Sequence, residues 1–367
     1  MIWIAVVLFI DSVAQIHPTH RNSSSCLITA LHNGGLFFYP NLDRILSMVT
    51  TQTPRGTIRS FNLARDGEVV ASLIEEAFAL KNDPDGQQVL IQMRENARRL
   101  KEASWMPVTG SPMGFVWEVD GRLVGNISVL PYTRKARKLH LVANVAVDPA
   151  YRGQGIGKAL ISHALRFSRQ AGVREVWLQV KRENEAAIHM YQQLGFRQDH
   201  SLDIWKKKAL QRSYQAPHYY YPSLNEIRAR EFGDWQIQKD WLERNYPPAV
   251  RWYSSLDFDD LSPWAWLNPL KWVNLIELRQ YSLCVGEKLA VVLSLQRMLL
   301  RSDNLFIAAP ETPSESEHVG ILLNRFIQEN WTGKSLVVEY PADRASIAFV
   351  DNGFTLARTL LWMHAEI

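Results

Sequence analysis

From Val142 to Val147 apolar residues fill both alternating sets. Ala143, Val145 and Val147 lie on one face, and Val142 and Ala146 flank Asn144 on the other, which predicts an interior strand. Asp148-Pro149 breaks it, because proline has no N–H for a ladder. Ile156, Leu160, Ala164, Phe167 and Ala171 then recur at intervals near 3.6 and predict a helix. Upstream, Thr57–Phe61 reads as a strand. Glu68–Lys81 reads as an amphipathic helix stopped by Asn82-Asp83-Pro84, and Gln87–Lys101 as a second helix with a basic face at Arg94, Arg98, Arg99 and Lys101. Gly114–Val119 and Leu123–Leu130, joined by Asp120-Gly121, read as a hairpin, since Asp-Gly is a favoured two-residue turn. Downstream, Glu175–Val180 reads as a strand.

Between strand and helix lies Arg152-Gly153-Gln154-Gly155-Ile156-Gly157. Glycines at a helix start let bare N–H groups approach an anion, and the helix dipole favours negative charge there. The local chemistry is that of a pyrophosphate site or, more plainly, of a helix N-cap turn. No Gly-Lys-Ser/Thr closes a Walker A loop, and glycines at 153, 155 and 157 miss the G-x-G-x-x-G dinucleotide spacing. The loop resembles instead the Q/R-x-x-G-x-G/A acetyl-CoA loop of the GNAT superfamily of N-acyltransferases, with Arg152, Gly155 and Gly157 in the patterned positions. Residues Asn184–Phe196, in which Asn-x-x-Ala leads to Tyr191 and then Gly195-Phe196, resemble that family's second signature. The two signatures stand in the family's order and separation over roughly Arg55–Lys208.

The resemblance implies an α/β (α+β) fold with a mixed, mostly antiparallel sheet flanked by helices. Its fourth and fifth strands part, and acetyl-CoA enters the gap. It implies that the backbone along Val145, Ala146 and Val147 pairs with the pantetheine arm. Amides of Arg152, Gly153, Gln154, Gly155, Ile156 and Gly157 would hold the pyrophosphate, with Lys158 toward the 3′-phosphate. Asn184 would touch the pantetheine or order its loop, and Tyr191 would protonate the leaving thiolate. Plainer readings stand beside these: Asn184 as a helix N-cap, Tyr191 as a core aromatic, Lys158 as an ordinary first-turn lysine. An attacking amine arrives protonated at neutral pH and needs a proton acceptor. Bacterial relatives that acetylate ribosomal proteins carry Leu-Glu-Val on the fifth strand, where this chain has Leu178-Gln179-Val180, and Gln179 cannot be a base. Leu141 stands where some histone acetyltransferases have a glutamate. Glu118, His140, Glu183 and a water chain past Asn144 stay open as alternatives.

The second half echoes the first. Leu336–Tyr340, Ala345–Val350 and Gly353-Phe354 repeat the strand, short helix and Gly-Phe exit, after a region like the hairpin (Glu287–Leu299) and a shortened strand (Leu305–Ala309). The chain thus resembles tandem-GNAT proteins of mycothiol-synthase-like arrangement. Residues 1–47 are expected to be an extension outside the fold, 55–208 an active domain, 209–222 a linker and 223–367 a degenerate copy. In that copy Glu311, Glu315 and Glu317 replace the glycine loop and would repel a pyrophosphate, and Val350 falls near the tyrosine position. Six tryptophans between 235 and 272 read as core, a domain interface or an aromatic substrate wall (Trp235, Trp241, Trp252, Trp264, Trp266, Trp272).

Composition narrows the partners. Over 367 residues, 47% are hydrophobic and the net charge is +4, which gives no case for nucleic acid. Cys26 and Cys284, without C-x-x-C, suit neither a disulfide framework nor a metal site, as in a reducing, cytoplasmic setting. The apolar run Ile2–Ile10 lacks a preceding Lys or Arg and is shorter than the about 20 residues a membrane helix needs, so no membrane partner is expected. The expected activity is acetyl transfer from acetyl-CoA to a small-molecule or peptide amine, by a monomer or homodimer. A non-catalytic acyl-CoA-binding or scaffolding protein is the alternative.

Overall fold

The computed structural model describes residues 52–53, 56–102, 114–134, 137–209, 225–246, 257–265, 278–298 and 302–367. The extension 1–47, most of the linker, and Trp252, Trp266 and Trp272 lie outside these. The chain forms two units. The first holds the described residues up to Gln179, together with Glu185–Asp199 and Met363–Ile367; the second holds Val180–Asn184 and His200–Trp362.

In the first unit, β1 (Gln52–Thr53) and β2 (Gly56–Ser60) lead into α1 (Leu63–Ala77). Helix α1 starts five residues before the hydrophobic pattern suggested, because Asn62 caps it: the Asn62 side chain accepts from the Arg65 N–H, and Asp66 accepts from the Asn62 N–H. After α2 (Pro84–Glu102), β3 (Gly114–Val119) and β4 (Arg122–Arg134) form the expected hairpin, with Asp120 (φ 48°) and Gly121 (φ 78°) both left-handed as a tight two-residue turn requires. β5 (Arg137–Val147), α3 (Ile156–Gln170), β6 (Glu175–Lys181) and α4 (Glu185–Gln193) follow. Sheet order is β1-β2-β3-β4-β5-β6, antiparallel until the parallel β5–β6 pair, and then the end of β13 (Thr355–Glu366). Helix α3 buries Ile156, Leu160, Ile161, Ala164 and Phe167, the stripe its sequence period predicts.

The second unit contains β8 (Asn225–Ala229), α5 (Trp235–Asn245), β9 (Leu278–Val285), β10 (Lys288–Gln296), β11 (Asp303–Ala308), α6 (Glu315–Glu329), β12 (Leu336–Pro341) and α7 (Ser346–Asp351). Its sheet runs β8-β9-β10-β11-β12 and then takes residues 200–207 of β7 (Arg197–Lys207) and the first part of β13. Here too one parallel pair, β11–β12, follows antiparallel neighbours. Trp235 and Trp241 pack on the Leu242–Tyr246–Phe258 cluster as core, whereas Trp264 is 56% exposed.

Two details repeat between the units. On β2, Arg59 grips Asp66 bidentately at 2.7 and 3.0 Å and also donates to the Ser60 carbonyl. Arg228 grips Asp234 at 2.7 and 2.9 Å and donates to the Ala229 carbonyl. Each aspartate also accepts a main-chain N–H from the start of its helical segment, Asn62 or Glu231, at 2.9 Å. Burial opposes the charge on both aspartates, yet these bonds hold their pKa values below the ordinary carboxylate range.

The helix exits repeat as well. Phe196 N–H donates to Tyr191 O and Phe354 N–H to Phe349 O, each at 3.0 Å, past Gly195 (φ 90°) and Gly353 (φ 74°). By this shared exit bond it is Phe349 that takes the place in the second unit that Tyr191 holds in the first; Val350, expected near that position, is its 59% exposed neighbour. A correction concerns Glu315. It is buried, accepting from Tyr340 Oη at 2.5 Å and Arg344 at 2.8 Å, so it is neutralised inside the fold, while Glu317 stays exposed.

Two histidines sit in the core of the first unit. His140 donates from Nδ1 to Ser168 Oγ at 2.8 Å, since that hydroxyl donates onward to Ala164 O. His163 meets Phe115 edge-on at 4.4 Å. Burial pushes both imidazoles down to about 4 from 6.5, with Arg166 adding to the effect on His163. The folded values lie below the unfolded ones, so the stabilisation is complete above about pH 6.5 and is lost as pH falls toward 4, by about 3 kcal/mol for each group. Thermal scans are therefore expected to show the melting point dropping between pH 7.5 and pH 5, and dropping less in His163→Leu. An equal drop in the variant would refute the assignment.

Candidate functional site

β5 and β6 pair in parallel only from Leu139↔Glu175 to Val142↔Leu178. Beyond that, β5 is not the regular alternating strand expected. Asn126 on β4 faces Ala146 and Ser128 faces Ala143, so Asn144 and Val145 together oppose Ile127, a one-residue bulge. Asn144 takes φ 52° there, the left-handed region that asparagine tolerates better than most residues. Sequence periodicity missed this bulge; the signal present was the single asparagine in an otherwise apolar strand.

At the end of β5 the chain turns through Pro149–Tyr151, with Asp148 accepting from the Ala150 N–H at 2.9 Å. Arg152 donates from Nε to Val147 O at 3.1 Å, which ties the loop back to the strand. Gly153 (φ 74°) and Gly155 (φ 81°) are both left-handed, and a Cβ added to either would meet nothing within 4 Å. The bare backbone at 153 and 155 therefore borders open space, where an anion can reach it. Gly155 is the N-cap of α3 and brings no side-chain cap, so the first-turn N–H groups are not taken by a capping oxygen. With Gln154 exposed between these glycines, the loop has the form a phosphate cradle needs.

The structure joins this loop to the tyrosine helix. A Cβ on Gly157 would lie 3.6 Å from Met190 Sδ and 4.0 Å from Val147 Cγ2, so α3, α4 and the end of β5 meet at Gly157. Lys158 donates to Gln193 Oε1 at 3.3 Å, and Gln193 donates to His189 Nε2 at 2.8 Å, on the exposed rim. Met190, Gln193 and His189 were not singled out from sequence, since nothing in their spacing marks them. Tyr191 is 6% exposed, its ring 5.8 Å from Phe196, and burial pushes its hydroxyl up to about 12. Asn184 stands exposed just ahead of α4, its N–H bonded to Lys181 O, and by contacts it belongs to the second unit. Val145 and Val147 are partly exposed and Ala146 is buried.

The candidate bases divide. Glu118 accepts from Arg59 at 2.7 Å, and that bond lowers its pKa. His140 is fully buried and held near 4 by desolvation. Glu118 is thus already engaged by a cation, and His140 has no exposed face for an amine to reach. Glu183 is exposed, and Gln179 is partly buried where β5 and β6 part. Among the described residues no group of three His, Cys, Asp or Glu could hold a metal, and no helix is long and apolar enough to cross a membrane.

Comparison with known proteins bears on the family and the fold. The family model described as "Acetyltransferase (GNAT) family" matches residues 75–196. An uncharacterized N-acetyltransferase of Methanocaldococcus jannaschii is 38% identical over 98 residues, 27% of this chain and 40% of the relative. Streptothricin acetyltransferase of Streptomyces lavendulae is 38% identical over 77 residues, 21% and 40%. The [ribosomal protein bS18]-alanine N-acetyltransferase of Escherichia coli K12 is 47% identical over 53 residues, 14% and 36%. The chain spans about two fifths of the length of these relatives. A crystal structure of a GCN5-related N-acetyltransferase from Sphaerobacter thermophilus superposes with TM-score 0.52 at 14% identity, over 86% of this chain and 97% of that one. Residues 75–196 thus carry the GNAT acetyltransferase fold.

Gly155 and Gly157 differ in kind, and this can be measured. Gly155→Ala forces a left-handed alanine and is expected to destabilise by about 1–2 kcal/mol, whereas Gly157→Ala, whose Cβ finds only ordinary contacts, stays within about 0.5 kcal/mol of wild type. Urea unfolding of both variants is the check, and equal losses would contradict it.

Proposed function

We propose that the first unit transfers an acetyl group from acetyl-CoA to a primary amine. Bound acetyl-CoA supplies the thioester: the amine, after losing one proton to solvent, attacks its carbonyl carbon, a C–N bond forms, the C–S bond breaks and the thiolate leaves. The proton still in excess on nitrogen passes to solvent, from which Tyr191 regains the one it gives to sulfur. The chain's own residues bind and place these groups. Backbone amides from Arg152 to Gly157 hold the pyrophosphate at the start of α3, and Lys158 stands toward the 3′-phosphate. Val145, Ala146 and Val147 offer an unpaired strand edge to the pantetheine arm. Asn184 orders the approach to α4, and Tyr191 donates its proton to the departing sulfur. The observation that carries this reading is the junction at Gly157, which sets the glycine loop one residue from the tyrosine on a shared contact with Met190.

The acceptor is a small-molecule or peptide amine; relatives are named for an alanine of ribosomal protein bS18 and for glucosamine 6-phosphate. The second unit is read as a degenerate copy that shapes the protein without taking acetyl-CoA. Its duplicated Arg–Asp grip and helix exit support descent from the same unit, and Phe349 keeps the packing of Tyr191 without the hydroxyl. A non-catalytic acyl-CoA-binding role is the second reading, favoured by Gln179 at the family's glutamate position and by the engagement of Glu118 and His140.

Titrating acetyl-CoA calorimetrically into the full chain should give one site, abolished by Gly155→Glu. An amine screen with Tyr191→Phe separates the two readings: kcat should fall about 100-fold or more with the acetyl-CoA affinity kept within about twofold. Binding without turnover of any amine would favour the second reading. No binding would end both.

Because burial raises Tyr191 to about 12, the hydroxyl stays protonated well above neutrality, and single-turnover rates should show no alkaline loss between pH 7 and 10. A fall within that window would remove Tyr191 as the donor.

A further inference from the structure

Asn126 on β4 is 2% exposed and has no part in the roles above. Its side-chain N–H donates to Asn144 O at 2.9 Å, and Asn144 in turn donates from its own amide to Ser128 Oγ at 3.2 Å. These bonds cross the bulge. A bulge takes a carbonyl out of the strand ladder, and a buried carbonyl needs a donor from elsewhere. Asn126 is that donor, and it acts on the residue held at φ 52°. The bulge begins two residues after β5 last pairs with β6, at Val142↔Leu178.

The second unit parts its strands by other means. β10 and β11 run from Val292↔Ala308 to Gln296↔Asn304 without a register shift, so the strand facing the divergence carries no bulge. The parallel pairing of β11 and β12 stops at Leu305↔Val338. There Tyr246 reaches both strands: its hydroxyl donates to Glu339 O at 2.7 Å and accepts a long contact from Ile307 N–H at 3.5 Å. Asn245 donates to Ile307 O and Ala309 O at 3.3 and 3.2 Å. Side chains occupy the parting in this copy. In the first unit a braced bulge bends β5 instead.

We propose that Asn126 is a positioning residue for the thioester arm. It fixes Asn144 in the left-handed conformation, keeps β5 bent away from β6 beyond Leu178, and so preserves the gap the arm enters. The inference rests on the acetyl-transfer reading of the first unit, and its effect is exerted through Asn144, with Ser128 as a secondary brace.

The test uses the full chain, with acetyl-CoA titration and amide hydrogen exchange over residues 143–147 as a readout that needs no cofactor. Asn126→Ala should weaken acetyl-CoA binding roughly tenfold or more and speed exchange at the bulge; Ser128→Ala should do the same to a smaller degree, about two- to threefold. Adding Asn144→Gly to Asn126→Ala should recover affinity several-fold, since glycine holds a positive φ without the brace. Lost stability alone would give no such recovery. Wild-type affinity and exchange in Asn126→Ala, or a loss with no recovery on adding Asn144→Gly, overturns the proposal. If Asn126→Ala does not fold, unchanged affinity and exchange in Ser128→Ala overturn it. A wild type that binds no acetyl-CoA overturns the acetyl-transfer reading instead, and exchange alone then judges the brace.

Discussion

When two parallel strands part partway along a sheet, each is left with a row of N–H and C=O groups that no neighbour satisfies. Buried main-chain polar groups are almost always paired, so such a parting persists only if something else meets them. In the first unit the parting follows Val142 and Leu178, and beyond it Asn126 donates to the Asn144 carbonyl at the bulge and Arg152 to the Val147 carbonyl. In the second it follows Leu305 and Val338, where Asn245 and Tyr246 donate to strand carbonyls. Each unit has a parallel pair that parts, and the two units meet the resulting deficit with different residues. A deficit met from behind the strand leaves room for a ligand's own amides, and one met from within does not.

Around these partings the units keep a common frame. The Arg59–Asp66 and Arg228–Asp234 grips each lock a first strand to the start of its helical segment, with the carboxylate sharing a main-chain N–H. Breaking one partner of such a pair would strand a charge in a dry place, which costs far more than the intact pair contributes. That asymmetry gives a reason for both halves to retain it while their loops diverge. At the helix exit of the second unit Phe349 takes the place that Tyr191 holds in the first, a ring packed on the phenylalanine after the exit glycine but without a hydroxyl.

Much of the first unit was legible from sequence because its signals are local. Asp120-Gly121 specifies its own turn, the 3.6-residue stripe of α3 names its buried face, and Gly153 and Gly155 adopt the left-handed angles that glycine suits. What stayed hidden depends on distant partners. Nothing near Asn144 announces Asn126 eighteen residues earlier, and only the fold shows that Glu315 turns inward to Tyr340 and Arg344. Matching Val350 to Tyr191 failed for a related reason. Helix α7 has six residues against nine in α4, and the connection before it is one residue longer, so counting along the chain slips where the shared exit bonds do not.

The division of the chain has a consequence in time. The first unit contains Met363–Ile367, whose last N–H bonds Arg174 O and whose His364 stacks on Trp177 at 4.7 Å. These residues are translated more than 160 positions after Asp199, the last of the unit's earlier segments. At roughly 5–20 residues per second, a ribosome needs on the order of 10–30 s to supply them. During that interval the far side of β6 is an uncovered strand edge, open to other chains. The nascent chain therefore depends on the second half being made promptly, and a stall between the halves would expose an aggregation-prone surface.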